Sequence, residues 1–240
     1  MSRWSIFIDI EGFSKIYPDN MVQALMPLCS IMKAIFSVGN LVCPESPERL
    51  FAHQIGDGFI IVSESSERSP ELPLALGIFL LRSTLLAGGM GKCSISQGDF
   101  SDIKGCYPEI ILNNRDASGT VRMGRGLMHL FPVMGSALIN AYRLGNRESG
   151  SLLIIDSILA ASLPKRSVVT KTTDDYQVVD WIHTNTPEIK EIETKTGIQH
   201  PKVGRLEEKV RLYVDSNCSS LPKEWENNTL SLNGITLLKK

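Results

Sequence analysis

LFAHQIGDGFIIVSES, residues 50–65, carries two apolar runs on either side of Gly56-Asp57-Gly58. An Asp-Gly pair between such runs is the strongest short-range signal for a β-hairpin. The sequence therefore predicts two strands and a tight turn, with Asp57 at the tip. On the N-terminal side, WSIFIDI (residues 4–10) is β-branched and aromatic and too short for a helix, so it reads as a strand. Between them, Val22 to Val38 holds apolar residues at helical spacing, with Asp19-Asn20 as cap and Pro27 as a kink or start point. On the C-terminal side, Leu72 to Leu86 predicts a buried helix that stops at Gly88-Gly89. KCSISQGDF (residues 92–100) then alternates apolar and polar, as a half-buried strand does.

That order, β-α-β-β-α-β, is the split βαβ arrangement: one antiparallel sheet of four strands backed by two helices, an α+β, ferredoxin-like fold. The first strand and the first arm of the hairpin are expected at its centre. Residues 101–126 break the periodicity with Gly105, Pro108, Asn113, Asn114, Gly119, Gly124 and Gly126, and read as an insertion or mobile loop. LMHLFPVM (127–134) is predicted as a strand, Gly135 to Leu144 as a short helix and SLLIID (151–156) as a strand. Beyond Leu163 come a strand, YQVVDWI, a charged helix, PEIKEIETK, and a helical stretch near GRLEEKVRLYV. No linker rich in Gly, Ser or Pro separates them. Residues 1–162 are read as the core of one domain and 163–240 as a C-terminal α/β extension packed on it.

Bulk properties narrow the function. A chain of 240 residues with 42% hydrophobic and 21% charged content is ordinary globular material. A net charge of -1 supplies no field for non-specific binding of nucleic acid or anionic lipid, so neither is expected as a partner. The five cysteines are scattered, with no CxxC pair, which fits a reduced, cytoplasmic setting better than a disulfide framework. The start, MSRWSIFIDIEG, lacks the long apolar run of a signal peptide. The window Leu72 to Leu86 falls short of the roughly 20 residues needed to span a bilayer.

The chemistry sits in two acids. Asp9 follows Ile6-Phe7-Ile8 at the end of the first strand, and Asp57 tips the neighbouring hairpin. Carboxylates on adjacent strands can share a pair of divalent ions, Mg²⁺ or Mn²⁺, which favour oxygen ligands and substrate phosphates. After Asp9, the turn Glu11-Gly12-Phe13-Ser14 leads toward a helix, so its N–H groups can cradle phosphate oxygens.

These stretches carry a family resemblance. FIDIEGFS (residues 7–14) resembles the Phe-x-Asp-Ile-x-Gly-Phe-Thr signature of class III nucleotidyl cyclases, the adenylyl and guanylyl type. HQIGDGFIIV (53–62) resembles that family's second metal hairpin, and GSALINAYRL (135–144) its late helix with a catalytic Asn and Arg. The resemblance covers roughly residues 4–160. It implies two divalent ions per site held by Asp9, Asp57 and the Ile10 carbonyl. It implies triphosphate contacts from Gly12, Phe13, Ser14 and Lys92, and catalytic roles for Arg143 and Asn140. Ile139 stands four residues before Arg143, where the family has its asparagine; Asn140 is adjacent, about 100° round a helix. The positions that select the base in the family are His53 and Pro132, which match neither the adenine nor the guanine pair. The chain is thus most similar to the stand-alone bacterial pyrimidine cyclases of the Pycsar anti-phage system. That similarity implies UTP, favoured over CTP, as substrate, cyclic UMP or CMP as second messenger, a downstream effector that binds it, and a head-to-tail homodimer with two sites. The alternatives are a purine cyclase, a diguanylate-cyclase-like enzyme, disfavoured because GDGF does not match that family's hairpin, and a cyclase fold that only binds nucleotide.

Overall fold

The computed structural model describes residues 2–45, 49–64, 69–116, 119–130 and 133–236. β1 (Ser2–Ile10) leads through a four-residue helix, α1 (Phe13–Ile16), into the long α2 (Met21–Leu41). β2 (Leu50–Ile55) and β3 (Gly58–Ser63) form the hairpin, and α3 (Glu71–Leu86) and β4 (Gly91–Asp99) complete the expected order. The stretch read as a loop contains short elements: β5 (Ser101–Asp102), α4 (Glu109–Asn113), β6 (Thr120–Met123) and the start of β7 (Gly126–His129). The single strand expected over LMHLFPVM is split between β7, which pairs with β6, and β8 (Val133–Met134), which pairs with β5. Then follow α5 (Ser136–Gly145), β9 (Leu153–Asp156), α6 (Ser157–Ala160), β10 (Val169–Thr172), β11 (Tyr176–Val179), α7 (Pro187–Thr196), α8 (Val203–Asn217) and α9 (Lys223–Ser231).

The main sheet has seven strands in the order β10-β11-β9-β4-β1-β3-β2. Its β4-β1-β3-β2 portion is antiparallel throughout, as the split βαβ pattern requires. β9 joins β4 in parallel, and β11 and β10 extend the sheet from there. One expectation is corrected: the neighbour of β1 is the second hairpin arm, β3, and β2 lies at the edge. The cause is burial. All six residues of β3, GFIIVS, are buried, whereas those of β2 are half-buried or exposed. A strand covered on both faces belongs inside a sheet. The turn is also one residue earlier than Asp57-Gly58. Ile55 pairs with Gly58, so Gly56 and Asp57 form the two-residue loop, with Gly56 at φ +63°. A positive φ confined to the first central position is the sign pattern of a type II′ turn, which favours glycine there.

Alternation along β1 sorts the two faces of the sheet. Ile6, Ile8 and Ile10 are buried in the main core with Leu28, Ile31 and Val38 of α2 and Leu74, Ile78 and Leu81 of α3. α2 is long and apolar enough to cross a membrane by length and composition, yet its buried residues form one wall of this core. Trp181, Ile189, Leu206 and Trp225 belong to the same cluster, so residues beyond 163 share the hydrophobic interior of the rest. Arg82 of α3 ties them in, donating to the carbonyls of Trp181, Ile182 and Thr184 at 3.2, 3.0 and 2.7 Å. A buried guanidinium needs such acceptors to offset its desolvation.

The other face carries Phe7 and Asp9 and is crossed by α5. Ser94 Oγ donates to the Ala141 carbonyl at 2.7 Å, and the Ser136 N–H donates to the Asp99 carboxylate at 3.0 Å. The approach requires glycine. A Cβ on Gly98 would lie 2.4 Å from Ser136 Oγ, and one on Gly135 would lie 2.2 Å from the Asp99 carbonyl oxygen. Because α5 carries Arg143, this contact fixes a site residue. Gly135→Ala is expected to lower stability by about 1–3 kcal/mol, the usual cost of forcing extra volume into a closed contact. Urea unfolding checks this; an unchanged midpoint would contradict the close approach.

Candidate active site

β1 ends by turning a carboxylate onto the α5 face. Asp9 lies two residues beyond Phe7 on the same side of the strand, and Gly58 of β3 makes room for it. A Cβ at Gly58 would sit 3.0 Å from Asp9 Oδ1 and 3.0 Å from the Ile8 carbonyl oxygen. Asp57, one residue earlier, stands at the tip of the same hairpin. Asp9, Asp57 and Arg143 all line one cavity of about 840 Å³, whose walls include Phe7, Ile60 and Ile139. Tyr142 closes part of it by packing edge-on against Phe7, with ring centroids 5.2 Å apart.

Burial is the largest influence on the Asp9 carboxyl, followed by the like charges of Asp57 and Glu11; together they push its pKa up to about 6. The Ile10 N–H and Lys92 pull the other way and lose. Lys92 sits opposite Asp9 in the β1–β4 register, and its Nζ is 3.1 Å from Glu11. What remains at Asp9 and Asp57 is uncompensated negative charge. No group of three or more His, Cys, Asp or Glu side chains suited to a metal occurs among the described residues. The carboxylates lining the cavity are Asp9 and Asp57. Their charge and their hard oxygen donors fit Mg²⁺ or Mn²⁺, which commonly take one or two carboxylates and complete their shell with water and substrate phosphates.

The remaining expected residues fall in several places. Gly12, at φ +77°, opens α1, and its carbonyl accepts the N–H groups of Lys15 and Ile16 at 3.0 and 3.1 Å. The amides of Phe13 and Ser14 lie in the first turn, where a helix has no internal acceptor for them. Arg143 is exposed at the cavity. Glu148, a natural partner for it, instead accepts from Lys171 and Tyr176. Asn140 is not brought to the acids. It lines an adjoining pocket with Gln97, Arg147 and Asp156, to which Arg143 also contributes, while Ile139 and Arg143 line the acid cavity. His53 pairs with Ile60 on the edge strand, hence on the Phe7–Ile60 face, and burial lowers its pKa. Pro132 lies outside the described residues.

Several lining residues were not singled out by sequence. Phe7 and Ile60 could have been found from strand alternation, since Phe7 shares a side with Asp9. His129, whose Nδ1 is 2.9 Å from Thr120 Oγ1, comes from the β6–β7 hairpin and had no local signal.

Asp9 also makes stability depend on pH. A free carboxyl titrates near 3.9, so with a folded value of about 6 the native state binds the extra proton between them. In chelator, stability is expected to fall as pH rises from about 4 to 6, and to stay lowered above that window. Asp9→Asn removes the penalty: its melting temperature at pH 7.5 in chelator should equal or exceed that of wild type. A clear drop would contradict the like-charge pair.

No protein-family model matches the chain, and no curated protein matches it. Among solved structures, it is similar to the guanylyl cyclase Cya2, at 12% identity over 78% of this chain and 94% of that one, with a TM-score of 0.51. It is also similar to a bacterial light-regulated adenylyl cyclase (10% identity, 82% of this chain, 55% of that one, TM-score 0.48) and to the adenylyl cyclase CyaB from P. aeruginosa (11%, 75%, 94%, 0.46). The likeness to Cya2 shows the fold: the chain has the architecture of a nucleotide cyclase domain.

Proposed function

We propose that the chain is a nucleotidyl cyclase that converts a pyrimidine nucleoside triphosphate, UTP before CTP, into its 3′,5′-cyclic monophosphate and pyrophosphate. The observation that carries this is the meeting of Asp9, Asp57 and Arg143 in one apolar-walled cavity on a cyclase-type fold. Asp9 and Asp57 would hold two divalent ions, with the Ile10 carbonyl as a further contact. When bound, such ions lower the pKa of the attacking hydroxyl and neutralise polyphosphate charge. The amides of Phe13 and Ser14 can donate to phosphate oxygens, with Gly12 giving the backbone its approach. Arg143 meets the charge that grows on the α-phosphate, and the apolar wall excludes water and seats the base. In the reaction the ribose 3′-oxygen forms the new bond to the α-phosphorus, its proton leaves to solvent, and the bond to the β-phosphate oxygen breaks to release pyrophosphate.

The cavity opens on a face where Ile55, Met134 and Tyr142 remain exposed, which suits cover by a second copy in a head-to-tail homodimer. Uracil over cytosine, a signalling role in anti-phage defence and a downstream effector rest on the sequence resemblance alone, and a cytoplasmic site of action on the scattered cysteines. Ile139 in place of the family's asparagine favours a second reading, a cyclase fold that binds nucleotide without turning it over.

Incubating the protein with each ribonucleoside triphosphate and Mn²⁺, and identifying products by mass, tests this. Cyclic UMP or CMP is expected. Cyclic AMP or GMP would move the substrate to the purines, and binding without product would leave the second reading. Asp57→Ala should abolish turnover. Arg143→Ala should lower kcat about 10²–10³-fold, the cost of losing one donor to developing charge.

A further inference from the structure

Glu11 stands two residues after Asp9 and one before Gly12, at the start of the phosphate turn. Its side chain is 17% exposed and meets two donors: Lys92 Nζ at 3.1 Å and the indole N–H of Trp225. Trp225 belongs to α9, 214 positions along the chain. That helix does not depend on Glu11 for its place. Asn228 Nδ2 donates to the Ser149 carbonyl at 2.9 Å, Thr229 Oγ1 accepts the Ser151 N–H at 2.9 Å, and Asn233 Nδ2 donates to the Ser151 carbonyl at 3.0 Å. Support therefore runs from the helix to the turn. The turn has two further supports, the Glu11 N–H donating to the Met90 carbonyl at 2.9 Å and Phe13 packing against the core, and neither fixes the Glu11 side chain. A cavity of about 330 Å³ separates Gly12, Ser14 and Lys15 on one wall from Tyr213, Asn217 and Trp225 on the other.

We propose that Trp225 is a positioning residue: its indole N–H, acting through Glu11, fixes the turn between Asp9 and α1 and thereby sets the Ile10 carbonyl and the Gly12–Ser14 amides. This deepens the reading given under Proposed function and rests on it. Without the indole donor, an enclosed carboxylate keeps Lys92 as its partner, and Lys92 itself lies opposite Asp9. The C-terminal extension thus becomes part of the site.

The test compares Mn²⁺ affinity, read by electron paramagnetic resonance, with hydrogen exchange over residues 10–16. Trp225→Phe keeps a ring and removes the donor. It should weaken Mn²⁺ binding about three- to tenfold, the worth of one hydrogen bond, and speed exchange in the turn. Glu11→Ala should speed exchange as much and weaken Mn²⁺ binding further, because it also releases Lys92 toward Asp9, and adding Trp225→Phe should speed exchange no more; Glu11→Gln, which keeps an acceptor, should retain slow exchange. Leu230→Ala removes a buried side chain of α9 and should lower stability with neither effect. Trp225→Phe with affinity and exchange both unchanged, or Leu230→Ala shifting both as much, overturns the proposal. Wild type that takes up no Mn²⁺ would refute the metal reading instead, and the exchange comparison alone would then decide the tie between Trp225 and Glu11.

Discussion

Two carboxylates of like charge, Asp9 and Asp57, held at one partly apolar cavity, constrain the rest of the open face. Asp9 is partly withdrawn from water, and Lys92, which faces it across the sheet, is paired with Glu11. Such an arrangement costs folding energy unless a cation joins it. The local structure keeps that cost rather than relieving it. Gly58 gives the carboxylate room against the hairpin, and the pleat of β1 sends Ile6, Ile8 and Ile10 inward while Asp9 faces out. A buried apolar row and a half-buried acid are two sides of one period-two pattern.

The helix opposite the acids is placed by the same economy of side chains. α5 can lie close to β4 because Gly98 and Gly135 carry no Cβ, and Ser94 and Asp99 supply the polar contacts that fix its phase. That phase puts Ile139 and Arg143, four residues apart, on the acid cavity, and Asn140 on an adjoining pocket that Arg143 also lines. The cavity thus receives a guanidinium, while the position one turn before it is apolar. Behind the sheet, Arg82 and Trp225 bind the last third of the chain to the core, so the extension is braced against both the sheet and the turn that follows Asp9.

Much of this was legible in the sequence because its signals are local. The hairpin, the first strand and both acids are written in runs of fewer than ten residues, and the order of elements follows from their periodicity. The order of the hairpin arms was misread because Asp57 drew attention to the turn, while the decisive difference lay in burial: FIIV is continuous and FAHQ is broken. The shift from Asn140 to Ile139 was visible as spacing, but only the Gly135 contact fixes which residue faces the acids. His129 and Trp225 were out of reach. Each arrives through tertiary packing, Trp225 from 214 positions away, and no local pattern announces such a meeting.

The central claim is that Asp9 and Asp57 form one divalent-cation site, and thermal unfolding with and without Mn²⁺ at pH 7.5 tests it most directly. At about a hundred times the dissociation constant, a ligand specific for the native state adds about 2.7 kcal/mol, worth several degrees in a chain of this size. The account predicts that rise for wild type and its loss in both Asp9→Asn and Asp57→Asn. Wild type indifferent to Mn²⁺, or variants stabilised as much as wild type, would contradict it.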